Sequence, residues 1–343
     1  MLLSRGLKLS IIAVLLSASV VAPASELPSS LRGGSSRFIS RALGSSCYTM
    51  DSVERGLPCN PASVAKERKS RFDADLLMGS HLKYIQEAQD ILGGNDSPEA
   101  VSKFFSHRDS MQGEASFEAS FQASTWGLGV EPYRFIAVTR MENPALPMVD
   151  VTIAQEQSVR AQVATYAGEN FYAGVQARYT HVKFIGQYFA LTEAFAGDKN
   201  ELFQTRTQDL IYLEPGFLFS WEEQPWKPQV SAVLANWGYS SEKTAEYPIQ
   251  PEGLLGASIK PFVPLGLLEL GVQFQINAQT KNARDALRAS VAYQLGILHL
   301  IASASDYDRS AGFTVSFRSF SSGLSYWDQD DSRGVFISFL VTL

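Results

Sequence analysis

What most constrains this chain is a strict two-residue alternation of apolar and polar side chains that recurs along most of its length. Ala115, Phe117, Ala119, Phe121 and Ala123 share one face of an extended segment, while Ser116, Glu118, Ser120, Gln122 and Ser124 share the other. Successive side chains of a β-strand point to opposite faces, so such a segment has one apolar and one polar surface. The pattern returns with Phe171, Ala173, Val175, Ala177 and Tyr179 against Tyr172, Gly174, Gln176, Arg178 and Thr180, and again over 268–277 and 287–295. Many of these segments run about 10 to 14 residues. Strands of soluble proteins average roughly 5 to 6, and a tilted membrane-crossing strand needs about 9 to 11.

Fourteen such segments can be placed, at 69–79, 113–124, 128–140, 148–167, 170–184, 207–220, 227–239, 253–262, 266–279, 284–295, 297–306, 311–320, 323–329 and 334–343, with twelve as the fallback. Short turns (Trp126-Gly127, Gly168-Glu169, Glu222–Pro225, Val263–Leu265, Gly296, Ser321-Ser322) alternate with longer links. Short periplasmic turns, longer outer loops and an even strand number describe a transmembrane antiparallel β-barrel of the bacterial outer membrane. No apolar run of 18 residues follows the N-terminal segment, so ordinary transmembrane helices are excluded.

The N-terminus fits export to that compartment. Arg5 and Lys8 precede a mainly apolar run from Leu9 to Val21, and Ala22-Pro23-Ala24 supplies a small-x-small cleavage pattern. Residues 1–24 thus read as a signal peptide, 25–68 as a segment ahead of the first strand, and 69–343 as the barrel. Residues 80–112 interrupt the barrel as a helical outer-loop insertion. Ser97-Pro98-Glu99 is an N-cap, a helix-compatible Pro and an early acid, and Leu82, Ile85, Ala88, Ile91 and Leu92 have helical spacing. Whether its apolar face covers the barrel mouth, leans on lipid or packs as an ordinary loop stays open. At the other end, Val335, Ile337, Phe339, Val341 and Leu343 carry an apolar face to the last residue. Barrel-assembly machinery recognises terminal strands of this kind, although Leu343 stands where an aromatic residue is usual.

A net charge of −6 and the lack of a basic stripe exclude nucleic acid as a partner. The four histidines, His81, His107, His181 and His299, form no metal-ligand spacing, and no Gly-x-Ser-x-Gly elbow or phosphate-binding glycine loop occurs. No cofactor, metal or enzymatic activity is expected. The only cysteines, Cys47 and Cys59, would form a disulfide in an oxidising periplasm, unless their backbones never approach and both stay free. Glu118, Arg178, Glu269, Arg288, His299 and Arg318 fall on faces assigned to the lumen. Charges of both signs in a confined space either pair with one another or contact a ligand. With Ser, Gln and Gly filling much of the rest, the lumen reads as polar, not as a greasy tunnel.

Ahead of the first strand lie Arg41-Ala42-Leu43-Gly44, Thr49 to Glu54, and Cys59-Asn60-Pro61-Ala62-Ser63-Val64-Ala65. A glycine-containing start, a spacer and Asn-Pro-Ala before strand one resemble the N-terminal signature of FadL-type outer-membrane proteins and the related TraF-like barrels. The resemblance implies a fourteen-strand barrel whose 25–68 segment forms a hatch in or beneath the lumen, with Gly44, Asn60, Pro61 and Ala62 as its motif residues. It further implies passive transport of a small, hydrophobic ligand, with outer-membrane lipid around the wall. The cysteines flanking the spacer depart from the pattern, and a bond between them would stiffen the hatch. Two alternatives stand beside transport, a structural or assembly protein of the envelope and a general porin.

Overall fold

The computed structural model describes residues 38–343 apart from 52–55, 67–69, 96, 107–110, 143–147, 191–202, 243–246, 248–249, 279, 281, 307 and 330–331. The expected signal peptide and His107 lie outside the described residues. Fifteen strand segments form one antiparallel sheet: β1 (Arg71–Gly79), β2 (Met111–Gln122), β3 (Trp126–Glu142), β4 (Met148–Gly168), β5 (Phe171–Ala190), β6 (Arg206–Ser220), β7 (Gln229–Ala235), β8 (Gly238–Ser240), β9 (Glu252–Ile259), β10 (Leu267–Ile276), β11 (Leu287–Leu295), β12 (Leu298–Ser305), β13 (Asp308–Phe317), β14 (Phe320–Gln329) and β15 (Ser332–Thr342). Apart from β8, which pairs only with β6 so that β7 is followed in the sheet by β9, each strand pairs with its sequence neighbours; β1 pairs with β15 and the sheet closes. β8 continues β7 along β6 after a break at Asn236, whose φ of 56° turns the chain out of register. The wall is therefore a closed barrel of fourteen spanning strands.

The period-two pattern sorts the wall into its two faces. Phe117, Phe121, Val159, Ile211, Phe274 and Phe339 point outward and are exposed, while Ser116, Glu118, Ser120 and Gln122 between them on the inner face are buried. Such a barrel is apolar outside and polar inside, the reverse of a soluble protein. An apolar outer band on a closed antiparallel wall places the chain in the outer membrane.

β3 departs from simple alternation. A bulge between Glu131 and Arg134 shifts its register against both neighbours, so Glu131 and Arg134 both face inward and the parity of the strand reverses beyond them. Phe135 and Ala137 then face outward, together with Val151 and Ile153 of β4 and Ile185 and Phe189 of β5. The helices α2 (Leu82–Leu92) and α3 (Pro98–Phe104), lying between β1 and β2, bury their apolar faces there. Ile85 packs on Gly113, where an added Cβ would meet it at 2.6 Å, and the Tyr84 hydroxyl bonds Thr139. The insertion thus covers the outside of the wall above the lipid band. Beyond Leu82 at its start, the exposed side of the insertion carries Lys83, Gln86, Asp90 and Lys103, a polar surface that suits a position outside the hydrocarbon.

Arg318 needs correcting. The alternation assigned it to the lumen at the end of a strand over 311–320, but β13 ends at Phe317, which pairs with Phe320. Arg318 and Ser319 form the hairpin turn, Arg318 at φ 51°, exposed on the periplasmic rim. The parity was right and the strand end was three residues too far along. The Ser321-Ser322 turn shifts with it, because serines alternate as readily along a lumen-facing strand as they occupy a turn.

Phe117→Arg and Val272→Arg, both exposed on the outer face near the middle of their strands, are expected to lower the folded yield, since a cation on the lipid face at mid-bilayer costs about 2–4 kcal/mol. Phe262→Arg, in the exposed β9–β10 turn, should be neutral. Heat-modifiable migration on unboiled gels reads the outcome, and equal losses from all three would mean that the lipid band is misplaced.

Candidate functional site

The lumen holds the described residues of the N-terminal segment, 38–51 and 56–66. α1 (Phe38–Leu43) packs against β12 to β14, a 3-10 turn over Gly44–Tyr48 against β9 to β11, and a second over Pro61–Ala65 against β3 to β6. Cys47 and Cys59 are bonded, with Cα atoms 5.7 Å apart, and tie the two turns together. Asn60 caps the second turn by accepting from the Ala62 N–H at 3.0 Å, and its amide donates to the Phe217 carbonyl at 3.1 Å. Pro61 suits the first position of that turn, where its missing N–H is no loss.

Wall glycines make this close approach possible. A Cβ on Gly174 would stand 2.6 Å from the backbone of Pro61 and Ala62, and one on Gly216 would stand 2.3 Å from Asn60 Oδ1. Gly44 adopts φ +56°, and the Arg288 guanidinium lies where its side chain would be. Further bonds run from Gln162 to the Pro58 carbonyl at 2.8 Å, Ser290 to Ser46 at 2.7 Å, and Ser310 to the Ala42 carbonyl at 2.7 Å.

The remaining lumen-face residues are buried and engaged. Glu118 pairs with Arg160. Arg178 meets Glu214 at 3.0 Å and Asn236 at 2.6 Å, and stacks 4.2 Å from the Tyr212 ring centroid. Glu269 accepts from Ser258 at 2.8 Å and Gln229 at 3.1 Å, Arg288 binds Asp308, and His299 is buried on β12.

Two constellations were not anticipated. The first is a chain of charge running from the N-terminal segment to the outer mouth. Arg41 binds Glu114 through two bonds of 2.6 and 2.7 Å, Arg134 bridges Glu114 at 2.9 Å and Glu156 at 2.8 Å, and Glu156 accepts from the Tyr247 hydroxyl. Glu114 continues the polar face of β2 and was legible there, whereas Arg134 points inward only because of the bulge. The second lies at the periplasmic end. Lys66 holds Asp51 at 2.7 Å and Glu222 at 2.6 Å, and Lys260 holds the other Asp51 oxygen. It latches the segment to the β6–β7 turn and to the end of β9. Burial opposes charge on Asp51, yet Lys66 and Lys260 outweigh it and hold the carboxyl below its ordinary value. By the same balance Lys66 is raised and Glu222 lowered.

The lumen is also less uniformly polar than expected. Outward of Arg178 and Glu156, the inner faces of β3 to β6 carry Ile136, Val138, Val182, Phe184, Leu210 and Tyr212 in one buried apolar cluster, with Tyr247 set into it. These residues escaped the sequence reading because they sit on inward positions near the strand ends, beyond the segments whose alternation was clearest.

No family model and no curated protein matches the sequence. Among solved structures, the Pseudomonas putida toluene transporter TodX is 10% identical with a TM-score of 0.46, over 93% of this chain and 98% of that one. The CymD monoaromatic hydrocarbon channel is 9% identical with a TM-score of 0.45, over 89% and 95%. CdiB from Acinetobacter baumannii is 7% identical with a TM-score of 0.36, and there the match spans 60% of the longer chain. The fourteen-strand topology rests on the strand pairings themselves.

Gly174→Ala should loosen the segment by about 1–3 kcal/mol, the cost of overpacking against backbone. Hydrogen exchange at Ala62–Ala65 should speed up while the barrel stays heat-modifiable. Gly168→Ala, where the added Cβ meets nothing within 4 Å, should change neither. A Gly174→Ala variant with wild-type exchange would show that the contact is soft.

The latch has a pH window. Asp51 and Glu222 are lowered from 3.8 and 4.5, so their contribution is complete above those values and is lost as pH falls through the depressed ones. Lys66 is raised from 10.5, so its contribution is complete below that value and is lost as pH rises through the raised one. Ionic leak through single barrels in planar bilayers should therefore be flat from about pH 5 to 10 and rise in stronger acid. Lys66→Met should raise the leak at neutral pH, and a wild-type midpoint near pH 7 would assign the latch to other groups.

Proposed function

We propose that this barrel passes small hydrophobic molecules across the outer membrane without an energy source, with residues 38–66 serving as its hatch. The observation that carries this reading is the apolar cluster inside an otherwise polar lumen. Carrying solutes in water would need no such wall, and burying apolar side chains where lipid cannot reach them suits a guest that leaves water. Hatch and cluster follow each other along the barrel axis, so a guest entering from outside meets the cluster before the segment. Glu118, Arg178, Glu269, Arg288 and His299 hold the wall and the segment in register, and make no direct contact with a guest in this reading.

A filled lumen disfavours the general porin, which needs an open aqueous path. A structural envelope role keeps one point in its favour, the number of bonds fixing the segment, and the experiment below separates it from transport.

Cells expressing the protein should take up the fluorescent hydrophobic probe N-phenyl-1-naphthylamine faster than cells with empty vector. Entry of nitrocefin, a hydrophilic probe, should be unchanged. Accelerated nitrocefin entry would indicate a porin, and equal uptake of both probes in both strains would leave the structural role as the better account.

A further inference from the structure

Tyr247 does not belong to the wall. It lies in the connection 241–251 between β8 and β9, yet it is buried in the lumen among the apolar side chains of β3 to β6. Three contacts hold it there. Its ring stands 5.1 Å from that of Phe184 at 58°, its hydroxyl donates to Glu156 Oε1, and its backbone N–H donates to Gln208 Oε1 at 3.2 Å. Chemically, the niche is filled by a phenol that happens to be tethered to a loop.

The acceptor in that niche is held independently of its present donor. Glu156 Oε2 is bound by Arg134 Nη1 at 2.8 Å, and Arg134 is held in turn by Glu114, so the carboxylate keeps its orientation whether or not Tyr247 is in place. One inward rung below Val182, Thr180 Oγ1 is buried without a hydrogen-bond partner among the described residues, a second polar atom on the same wall.

We propose that the niche occupied by the Tyr247 side chain is a binding site for small phenols, which displace the ring and give their hydroxyl proton to a hydrogen bond with Glu156 Oε1. A hydrocarbon of the same shape would fill the apolar walls and leave a buried carboxylate oxygen without its donor, which is costly. The tethered ring and the free guest make the same ring and hydroxyl contacts. Among the described residues, the exchange gives up the bond from the Tyr247 N–H to Gln208 Oε1. The site deepens the uptake reading and rests on it for physiological traffic, but binding itself does not require transport.

The test is a titration of the purified wild-type protein in detergent with 4-methylphenol and with toluene, followed by calorimetry. Hydrogen exchange over 241–251 is measured on the same samples. Wild type should bind 4-methylphenol, with toluene at least about tenfold weaker for want of the hydroxyl bond. Exchange at Tyr247 should rise at saturation, as the ring is expelled. Tyr247→Gly should bind 4-methylphenol more tightly than wild type, since its competitor is gone. Binding by Tyr247→Gly but not by wild type would make Tyr247 a permanent part of the wall and overturn the proposal. So would equal affinity of wild type for the two ligands. Should Tyr247→Gly fail to fold, the wild-type titration decides alone. Phenol binding without accelerated probe uptake in cells would sink the transport reading and leave the site standing.

Discussion

In hydrocarbon no water is available to the backbone, so every N–H and C=O at membrane depth must find its partner within the chain. Pairing of β1 with β15 meets that requirement here, because it leaves the sheet without an edge. Much else follows from it. A closed wall of alternating strands sends every second side chain to the lipid and every other one to an enclosed interior. The interior is then too large for wall side chains of this size to fill, given how many of them are Ser, Gly and Gln. The described residues 38–51 and 56–66 take up that space.

The interior is therefore packed by hydrogen bonds and ion pairs more than by apolar contact. Arg41 illustrates why the segment and the wall depend on each other. It is buried on the segment, Glu114 is buried on β2, and each has the other as a partner through two bonds. Removing either would leave the buried network of Arg41, Glu114, Arg134 and Glu156 one charge out of balance, and breaking a buried pair costs about 3–5 kcal/mol. The same logic extends through Arg134 and Glu156, so the charges on the wall are tolerable because the segment and the outer connection complete them. Gly174 and Gly216 contribute in the opposite sense, by absence of side chain, and let backbone lie on backbone.

Much of this was legible in the sequence, and the limits have identifiable causes. Alternation placed the strands and their faces because the membrane enforces it over long stretches, as with Phe117 and Phe121 against Glu118 and Ser120. It failed where backbone geometry breaks the period. The bulge at Glu131–Arg134 reverses the faces of β3, so Phe135 serves the helical insertion while Ile136 lines the lumen. The end of β13 was misjudged because Ser316 and Arg318 continue the polar face past the point where the chain turns. Cys47 and Cys59 suggested their own bond, but no spacing rule could have linked Asp51 and Lys66 to Lys260 and Glu222, or Tyr247 to Glu156. Those contacts join segments as far as 209 residues apart and exist only once the barrel has closed.

The same contacts constrain how anything could pass the segment. Expelling it whole would break the Arg41–Glu114 pair, the Asp51 latch and the bonds to Gln162, Ser290 and Ser310, and would strand buried charges on the wall. The disulfide adds to this by tying the two 3-10 turns together, so that neither can move far without the other. Whole ejection therefore stands against many bonds at once, several of them charged. Local change is far less costly. Lys66 and Asp51 are each partly exposed at the periplasmic end, where water can replace a broken ion pair. At the other end, Tyr247 is held from a connection and not from a strand. A path that opens at the two ends and leaves Arg41, Asn60 and the disulfide in place disturbs the fewest buried charges.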